Sequence, residues 1–99
     1  MGTLGIALSG MQSAEKRIAV SAHNIANLLT EDFRPQSAVQ SASPAGGSEA
    51  RIRTAPKPAP VSLEREIVGQ IQAKTQYSAS ARVFQVGAEL QGILFDTFV

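Results

Sequence analysis

The chain has 99 residues, of which 43% are hydrophobic and 17% are charged, and its formal net charge at pH 7 is +1. This length allows one domain at most, and so small a net charge provides no general attraction for nucleic acid or for an anionic membrane. Cysteine is absent, which excludes disulfides, thiolate catalysis and cysteine-based metal sites.

The first part of the chain has the apolar periodicity of a long helix. Four large apolar residues recur every seven positions, namely Leu4, Met11, Ile18 and Ile25. Leu8, Ala22 and Leu29 fill the positions between them. This spacing predicts a helix over roughly residues 4–29 with one apolar stripe. We assign residues 1–33 to this helix and the turn that follows it.

The same region does not resemble a targeting sequence. Glu15, Lys16 and Arg17 interrupt the apolar residues before they reach the length of a signal-peptide core. No apolar run in the chain reaches the roughly 18 residues that a membrane-spanning helix needs. We therefore expect no cleaved signal peptide and no membrane insertion.

Residues 34–61 differ in composition from the rest of the chain. All five prolines lie there, together with Gly46, Gly47 and a tract of serine and alanine. Residues 51–54 alternate well enough for one short strand, but a strand without a partner does not form a sheet. The composition predicts a flexible linker or a long mobile loop.

Residues 62–99 return to a helical pattern. Ser62 is placed to cap a helix, and Glu64 and Glu66 lie in the first turn, where the helix dipole favours acidic residues. Apolar residues then follow a spacing of three and four positions, including Leu63, Ile67, Ile71, Tyr77 and Phe84. A second row widens the apolar face near the end, and it consists of Val83, Val86, Leu90 and Leu94. A helix of about 36 residues would be about 54 Å long, a length typical of coiled coils and helical assemblies.

The residues that carry catalysis in other proteins do not form a recognisable set here. His23 is the only histidine, and Ser21 lies two residues away on the same predicted helix, so the two side chains point in different directions. No second histidine offers a metal pair, and no glycine-rich phosphate loop is present. We expect no enzyme activity, no catalytic or metal site and no cofactor, and we interpret His23 as a solvent-exposed or interface residue.

Asn24 and Asn27 lie on one side of the predicted helix, just before its end. Two interpretations are compatible for this pair. The asparagines cap the end of the helix and the following turn, or they form hydrogen bonds to a neighbouring subunit.

The two ends of the chain resemble the terminal signatures of the bacterial flagellar axial proteins, the family of rod, hook and hook-associated subunits. That family typically begins with A-L-S-G-M, matched here by residues 7–11, and continues with N-I-A-N and N-T-P-G-[FY]-[KR]. Residues 24–27 match the second motif, and Thr30, Phe33 and Arg34 match part of the third. Glu31 and Asp32 stand where the family has Pro-Gly, so the backbone of this turn is expected to differ.

The family's C-terminal signature has three parts. Val61, Leu63, Glu66, Ile67 and Val68 match V-x-L-x-x-E-[MI]-V. Ile71, Ala73, Tyr77, Ala79, Ala81, Arg82 and Val83 match I-x-A-x-x-x-Y-x-A-N-A-[KR]-V, with Ser80 in place of the asparagine. Glu89, Leu90 and Leu94 match the E-[ML]-x-x-x-L ending.

The resemblance implies a fold and a function. We predict an all-α fold in which two long terminal helices pair antiparallel and a mobile loop joins them. The short middle segment is closest in size to the proximal rod proteins of the flagellar basal body. Such a subunit would leave through the flagellar export apparatus and join copies of itself and other axial subunits in the periplasm-spanning rod.

The residues expected to pack the helices and the assembly are drawn from both predicted helices. They are Leu4, Leu8, Met11, Ile18, Asn24, Ile25, Asn27, Ile67, Ile71, Tyr77, Phe84, Val86, Leu90 and Leu94. The alternative is a free-standing coiled-coil interaction protein or adaptor derived from the same family. An adaptor should form a small closed oligomer, whereas a rod subunit makes open head-to-tail contacts.

Overall fold

A computed structural model of the protein describes residues 2–98, with Phe98 described by its backbone alone. Helix α1 spans Thr3–Ala26 and helix α2 spans Leu63–Phe98. Between them, strands β1 (Gln36–Ala42) and β2 (Ser48–Thr54) form one antiparallel hairpin.

The hairpin makes the fold mixed α/β, so the predicted all-α fold with a loop between the helices is wrong. Its register pairs Gln36 with Thr54 and Ala42 with Ser48. Gly46 and Gly47 close the connection with φ values of 97° and 80°, which glycine adopts without strain. The sequence of β1, QSAVQSA, contains a single β-branched residue, and for that reason its strand signal is weak.

The two helices lie antiparallel and approach each other closely through small residues. Ala14 on α1 and Ala73 on α2 are completely buried. A Cβ atom built at Gly10 would overlap the hydroxyl oxygen of Ser80 across the contact. Small side chains at this contact allow the two backbones to lie near each other, and large ones would separate them.

The hairpin packs on a second face of α1 through polar contacts. The Ser9 hydroxyl accepts a hydrogen bond from the Ser48 amide at 3.0 Å, and the Ser13 and Ser48 hydroxyls lie 3.1 Å apart. The Lys16 ammonium donates to the Ala50 carbonyl at 3.1 Å. Helix α1 is therefore the central element, with α2 on one face and the hairpin on another.

The buried core contains small and polar side chains only. Val20 is its largest hydrophobic member among the described residues, and the others are Ala7, Ser9, Ser13, Ala14, Ser21, Asn24, Ala50 and Ala73. The accessible surface is 7049 Å², against about 5,400 Å² for a globular monomer of this mass. The radius of gyration is 17.2 Å, where a compact chain of this length has about 12.6 Å. The fold thus leaves much of its apolar surface uncovered.

Helix α2 is longer than α1, and the difference lies at one end. Leu4, at the start of α1, lies against Gly87 of α2. Near the other end of α1, the Ser21 hydroxyl donates to the Glu66 carbonyl at 2.9 Å. The last part of α2, residues 88–98, consequently extends beyond α1, and we refer to it as the overhang.

Candidate functional site: an assembly surface

The overhang and the turn before it expose a cluster of large apolar side chains. Leu90 is 55% exposed, Leu94 is 57% exposed and Phe95 is 70% exposed. Val86 and Ile93 are also exposed. Apolar residues at this spacing normally face a partner, because a water-exposed apolar patch is unfavourable and marks a contact site in soluble proteins.

The size of the side chains changes where α1 ends. Ala73, Ser80 and Gly87 recur every seven residues on the face of α2 that meets α1, and all three are small. The next residue of this series is Leu94, which lies beyond α1. A small-residue seam allows close helix packing, whereas the leucine at the same register lies where α1 does not cover it and is 57% exposed.

The predicted apolar stripe of α1 lies beside the core rather than in it. Met11, Ile18 and Ile25 are half-buried, and Leu8 is exposed. Leu4 is also half-buried, where it contacts Gly87. Buried Ala7 and Ala14 flank this stripe and make the close contact with α2.

The predicted residues of α2 lie along its exposed surface. Ile67 and Ile71 are exposed, and with Ile18 of α1 they line a shallow groove of about 260 Å³. Tyr77 and Phe84 are about one-third exposed. Intrachain packing therefore covers each of these side chains in part and leaves apolar surface for a partner.

A larger groove lies between the two helices and the tip of the hairpin. It has a volume of about 650 Å³, and its walls include Ile6, Gly10, Ser48 and Val83. Because Val83 also begins the apolar row that runs to Leu94, the groove and this row meet at Val83. We refer to the groove and the row Val83, Val86, Leu90 and Leu94 together as the assembly surface.

Asn24 joins three elements of the fold. Its side chain is 2% exposed. Its amide donates to the Gln36 carbonyl at 2.7 Å and to the Glu66 carboxylate at 3.0 Å, and its oxygen accepts from the Gln36 amide at 2.9 Å. The side chain thus fixes the first residue of β1 and the first turn of α2 onto α1.

Asn27 has the capping role that the sequence suggested for this pair. It directly follows α1 as the C-cap residue, its side-chain amide donates to the His23 carbonyl at 2.9 Å, and its backbone amide donates to the same carbonyl at 3.2 Å. Its side-chain oxygen accepts from the Thr30 hydroxyl at 3.1 Å. The carbonyls of His23, Asn24 and Ile25 near the end of α1 therefore have hydrogen-bond donors within the chain.

The turn after α1 contains one residue with left-handed backbone. Asp32 has a φ of 54°, in the left-handed region that glycine adopts without strain. In this sequence Asp32 stands where the flagellar motif has glycine. The next residue, Phe33, packs its ring against that of His23 with centroids 5.5 Å apart.

Sequence reasoning missed the polar face of α1 that holds the hairpin. Ser9, Ser13, Lys16, Val20 and Asn24 follow a helical spacing of three and four residues. The spacing of this stripe is a helical signal in the sequence, but most of its members are polar, so a search for large apolar residues does not find it.

The serine and histidine considered as a catalytic pair each have another partner within the chain. The Ser21 hydroxyl is bonded to a backbone carbonyl, and His23 contacts an aromatic ring. Within residues 2–98, no three histidine, cysteine, aspartate or glutamate side chains cluster closely enough to hold a metal ion.

Neither helix, over the part of the chain that the structure describes, has a stretch long and apolar enough to cross a lipid bilayer. No model of a known protein family matches the chain, and a search of curated proteins finds no significant match.

Proposed function

We propose that this protein is a structural subunit of a flagellar rod-type axial assembly and polymerises through its terminal helices. Its partners would be copies of itself and other axial subunits in the basal-body rod that spans the periplasm. It would reach that place through the flagellar export apparatus, without a cleaved signal. The observation that carries this proposal is the exposed assembly surface at the end of α2, combined with the resemblance of both termini to axial proteins.

The energetics favour a function in which partners cover this surface. Complete burial of one large aliphatic side chain contributes about 1.5–3 kcal/mol. Leu90 and Leu94 are each more than half exposed, so burial by a neighbour would contribute about 1 kcal/mol for each of them. The small core gives the single chain little of this stabilisation.

The turn at Asp32 gives independent support. Left-handed backbone is unusual for a residue other than glycine, and here it falls at the position where the axial-protein motif has glycine. Aspartate adopts this conformation more readily than most residues, so the turn is compatible with the resemblance and adds only modest support to it.

The experiment introduces a charge into the assembly surface. Leu90→Asp should leave the monomer soluble and folded, because the side chain is exposed in the single chain. It should block polymerisation, because an unpaired charge buried in a packed contact is strongly unfavourable. Light scattering and electron microscopy measure assembly in solution, and swimming measures it in a strain that carries only this variant.

Gln91→Asp is the matched control, since it places the same charge one residue away on a polar position of the overhang. It should assemble like the unmodified chain. Normal swimming by the Leu90→Asp strain would refute the rod proposal.

The second candidate function is a free-standing coiled-coil interaction protein. One observation favours it, namely that the face of α2 turned away from α1 carries Lys74 and Arg82 in one half and Glu89 and Asp96 in the other, a pattern that suits antiparallel pairing with a second copy. A closed dimer that never polymerises, in the presence or absence of other axial subunits, would support this function over the rod.

A further inference from the structure

The outer face of α2 carries two separate seven-residue series. Ser78, Gln85 and Gly92 form one series, and Arg82, Glu89 and Asp96 form the other. Seven residues are close to two helical turns, so the members of each series lie on one side of the helix and the two series are adjacent. The contacts with α1 use other residues of α2, including Ala73, Ser80 and Gly87.

The charges of this face are arranged about Gln85 with near symmetry, to within one residue. Arg82 lies three residues before Gln85, and Glu89 lies four residues after it. Lys74 lies eleven residues before Gln85, and Asp96 lies eleven residues after it. One half of the face is therefore basic, and the other half is acidic.

We infer that the isolated chain forms a two-fold dimer in which the outer faces of α2 from two copies pair antiparallel about Gln85. In this arrangement Arg82 of each copy meets Glu89 of the other, and Lys74 of each copy meets Asp96 of the other. Four ion pairs result along about 33 Å of helix. A parallel dimer would instead place Arg82 beside Arg82 and Glu89 beside Glu89, which is repulsive.

The remaining residues of the face suit a close contact between helices. Ser78, Ala81, Ala88 and Gly92 are small, and they lie between the charged positions. The structure shows a shallow groove there, with walls that include Lys74, Ser78 and Arg82. No charged partner within hydrogen-bond or ion-pair distance is found for Lys74, Arg82 or Asp96 among residues 2–98, so these groups are free to meet a second copy.

The available surface is large enough for this dimer. The chain exposes 7049 Å², which is about 1,600 Å² more than a globular monomer of its mass. A standard interface buries about 800 Å² on each partner. One dimer contact would thus use about half of the excess and leave Leu90 and Leu94 of the assembly surface for other contacts.

The dimer does not depend on the proposed function, and it would compete with a rod. An array in which all subunits point in one direction cannot contain an antiparallel pair of its subunits. The dimer would hence be a form of the free chain that must separate before polymerisation.

The first test measures the mass of the intact 99-residue chain by sedimentation equilibrium across a concentration series, at low and high salt. We expect a monomer–dimer equilibrium that salt weakens, because the exposed ion pairs are screened. A chain that stays monomeric over the whole series would overturn the inference.

Charge reversal then tests the pairing. Arg82→Glu should raise the dimer Kd roughly tenfold or more, since two symmetric attractions become repulsions. The double variant Arg82→Glu/Glu89→Arg should restore dimerisation, and an equimolar mixture of Arg82→Glu with Glu89→Arg should form a heterodimer. Arg65→Glu, an equal charge change on an exposed part of α2 outside this face, is the control and should not change the Kd.

Because the chain has no cysteine, a single introduced thiol can locate the axis. Gln85→Cys should form an interchain disulfide under mild oxidation, whereas Gln12→Cys on the exposed part of α1 should not. Circular dichroism establishes that each variant folds. A dimer that is unaffected by Arg82→Glu, or a double variant that does not recover, would overturn the inference and place the contact on another face.

Discussion

Asn24 provides the most direct test of how the fold is held together. The change Asn24→Asp preserves the size of the side chain and replaces its NH₂ donor with a carboxylate oxygen. That oxygen would face the Gln36 carbonyl and the Glu66 carboxylate, which lie 2.7 and 3.0 Å from the present amide nitrogen. Two favourable contacts would become contacts between acceptors.

The expected loss of stability follows from these two hydrogen bonds. A neutral hydrogen bond contributes about 0.5–1.5 kcal/mol and a bond to a charged group about 1.5–3 kcal/mol. Loss of both bonds at a site that is 2% exposed should destabilise the chain by roughly 3–4 kcal/mol. That is a large part of the roughly 5–15 kcal/mol that is typical of a folded domain.

Urea denaturation followed by circular dichroism measures the free energy of unfolding, and hydrogen exchange identifies which elements open. Amides of the hairpin should lose protection first, because Asn24 holds the start of β1. Asn27→Asp is the matched control, since Asn27 makes a more exposed bond to a carbonyl, and it should lose less than about 1 kcal/mol. Equal losses for the two variants would refute the assignment of Asn24 as the link between the three elements.

Two further predictions concern backbone positions. Gly10→Ala should destabilise the chain by about 1–3 kcal/mol, because the new methyl group meets Ser80. Gly69→Ala has open space around it and should stabilise α2 by about 0.5–1 kcal/mol. Thermal unfolding compares the two variants, and equal effects on stability would contradict the close helix contact. Asp32→Gly should raise the free energy of unfolding by up to about 1 kcal/mol, and Asp32→Ala should lower it. Denaturant melts measure both variants, and a less stable glycine variant than alanine variant would argue against a left-handed residue at this turn.

The helices could be predicted from the sequence because their residues repeat at helical spacing over many turns. The first helix is predicted over residues 4–29, and in the structure α1 spans Thr3–Ala26. The second helix is predicted from residue 62, and α2 begins at Leu63. A long segment with helical periodicity can be recognised as a helix from its sequence alone, without its tertiary contacts. Their boundaries are less clear, since Asn27 ends α1 through side-chain bonds that periodicity does not show.

The hairpin could not be predicted from local sequence, because its stability comes from contacts with α1. Strand β1 has no apolar alternation, and its start is fixed by the bonds of Gln36 to Asn24, twelve residues earlier. The prolines that suggested a loop lie at the edges of the hairpin, at Pro35 and from Pro56 onward, and in its turn at Pro44. None of them interrupts a strand, so the composition of the segment was compatible with a sheet.

The core of α1 was assigned to the wrong kind of residue for a related reason. Large apolar residues at seven-residue spacing normally form the buried seam of a helix pair. Here Ala14 and Ala73 are buried completely, and the larger Ile18 and Ile71 lie at the edge of the contact. Helices that approach through small residues leave no space for isoleucine between them, and the large side chains are displaced to the surface.

This displacement connects the fold to the proposed function. A chain that buries alanine and serine and exposes leucine, isoleucine and phenylalanine gains little hydrophobic stabilisation alone, because that stabilisation scales with the apolar area removed from water. Under the proposed function, neighbouring subunits would supply the missing burial through the assembly surface. The stability of this protein should therefore increase with its own concentration, as expected for a chain whose folded form binds a partner and whose unfolded form does not.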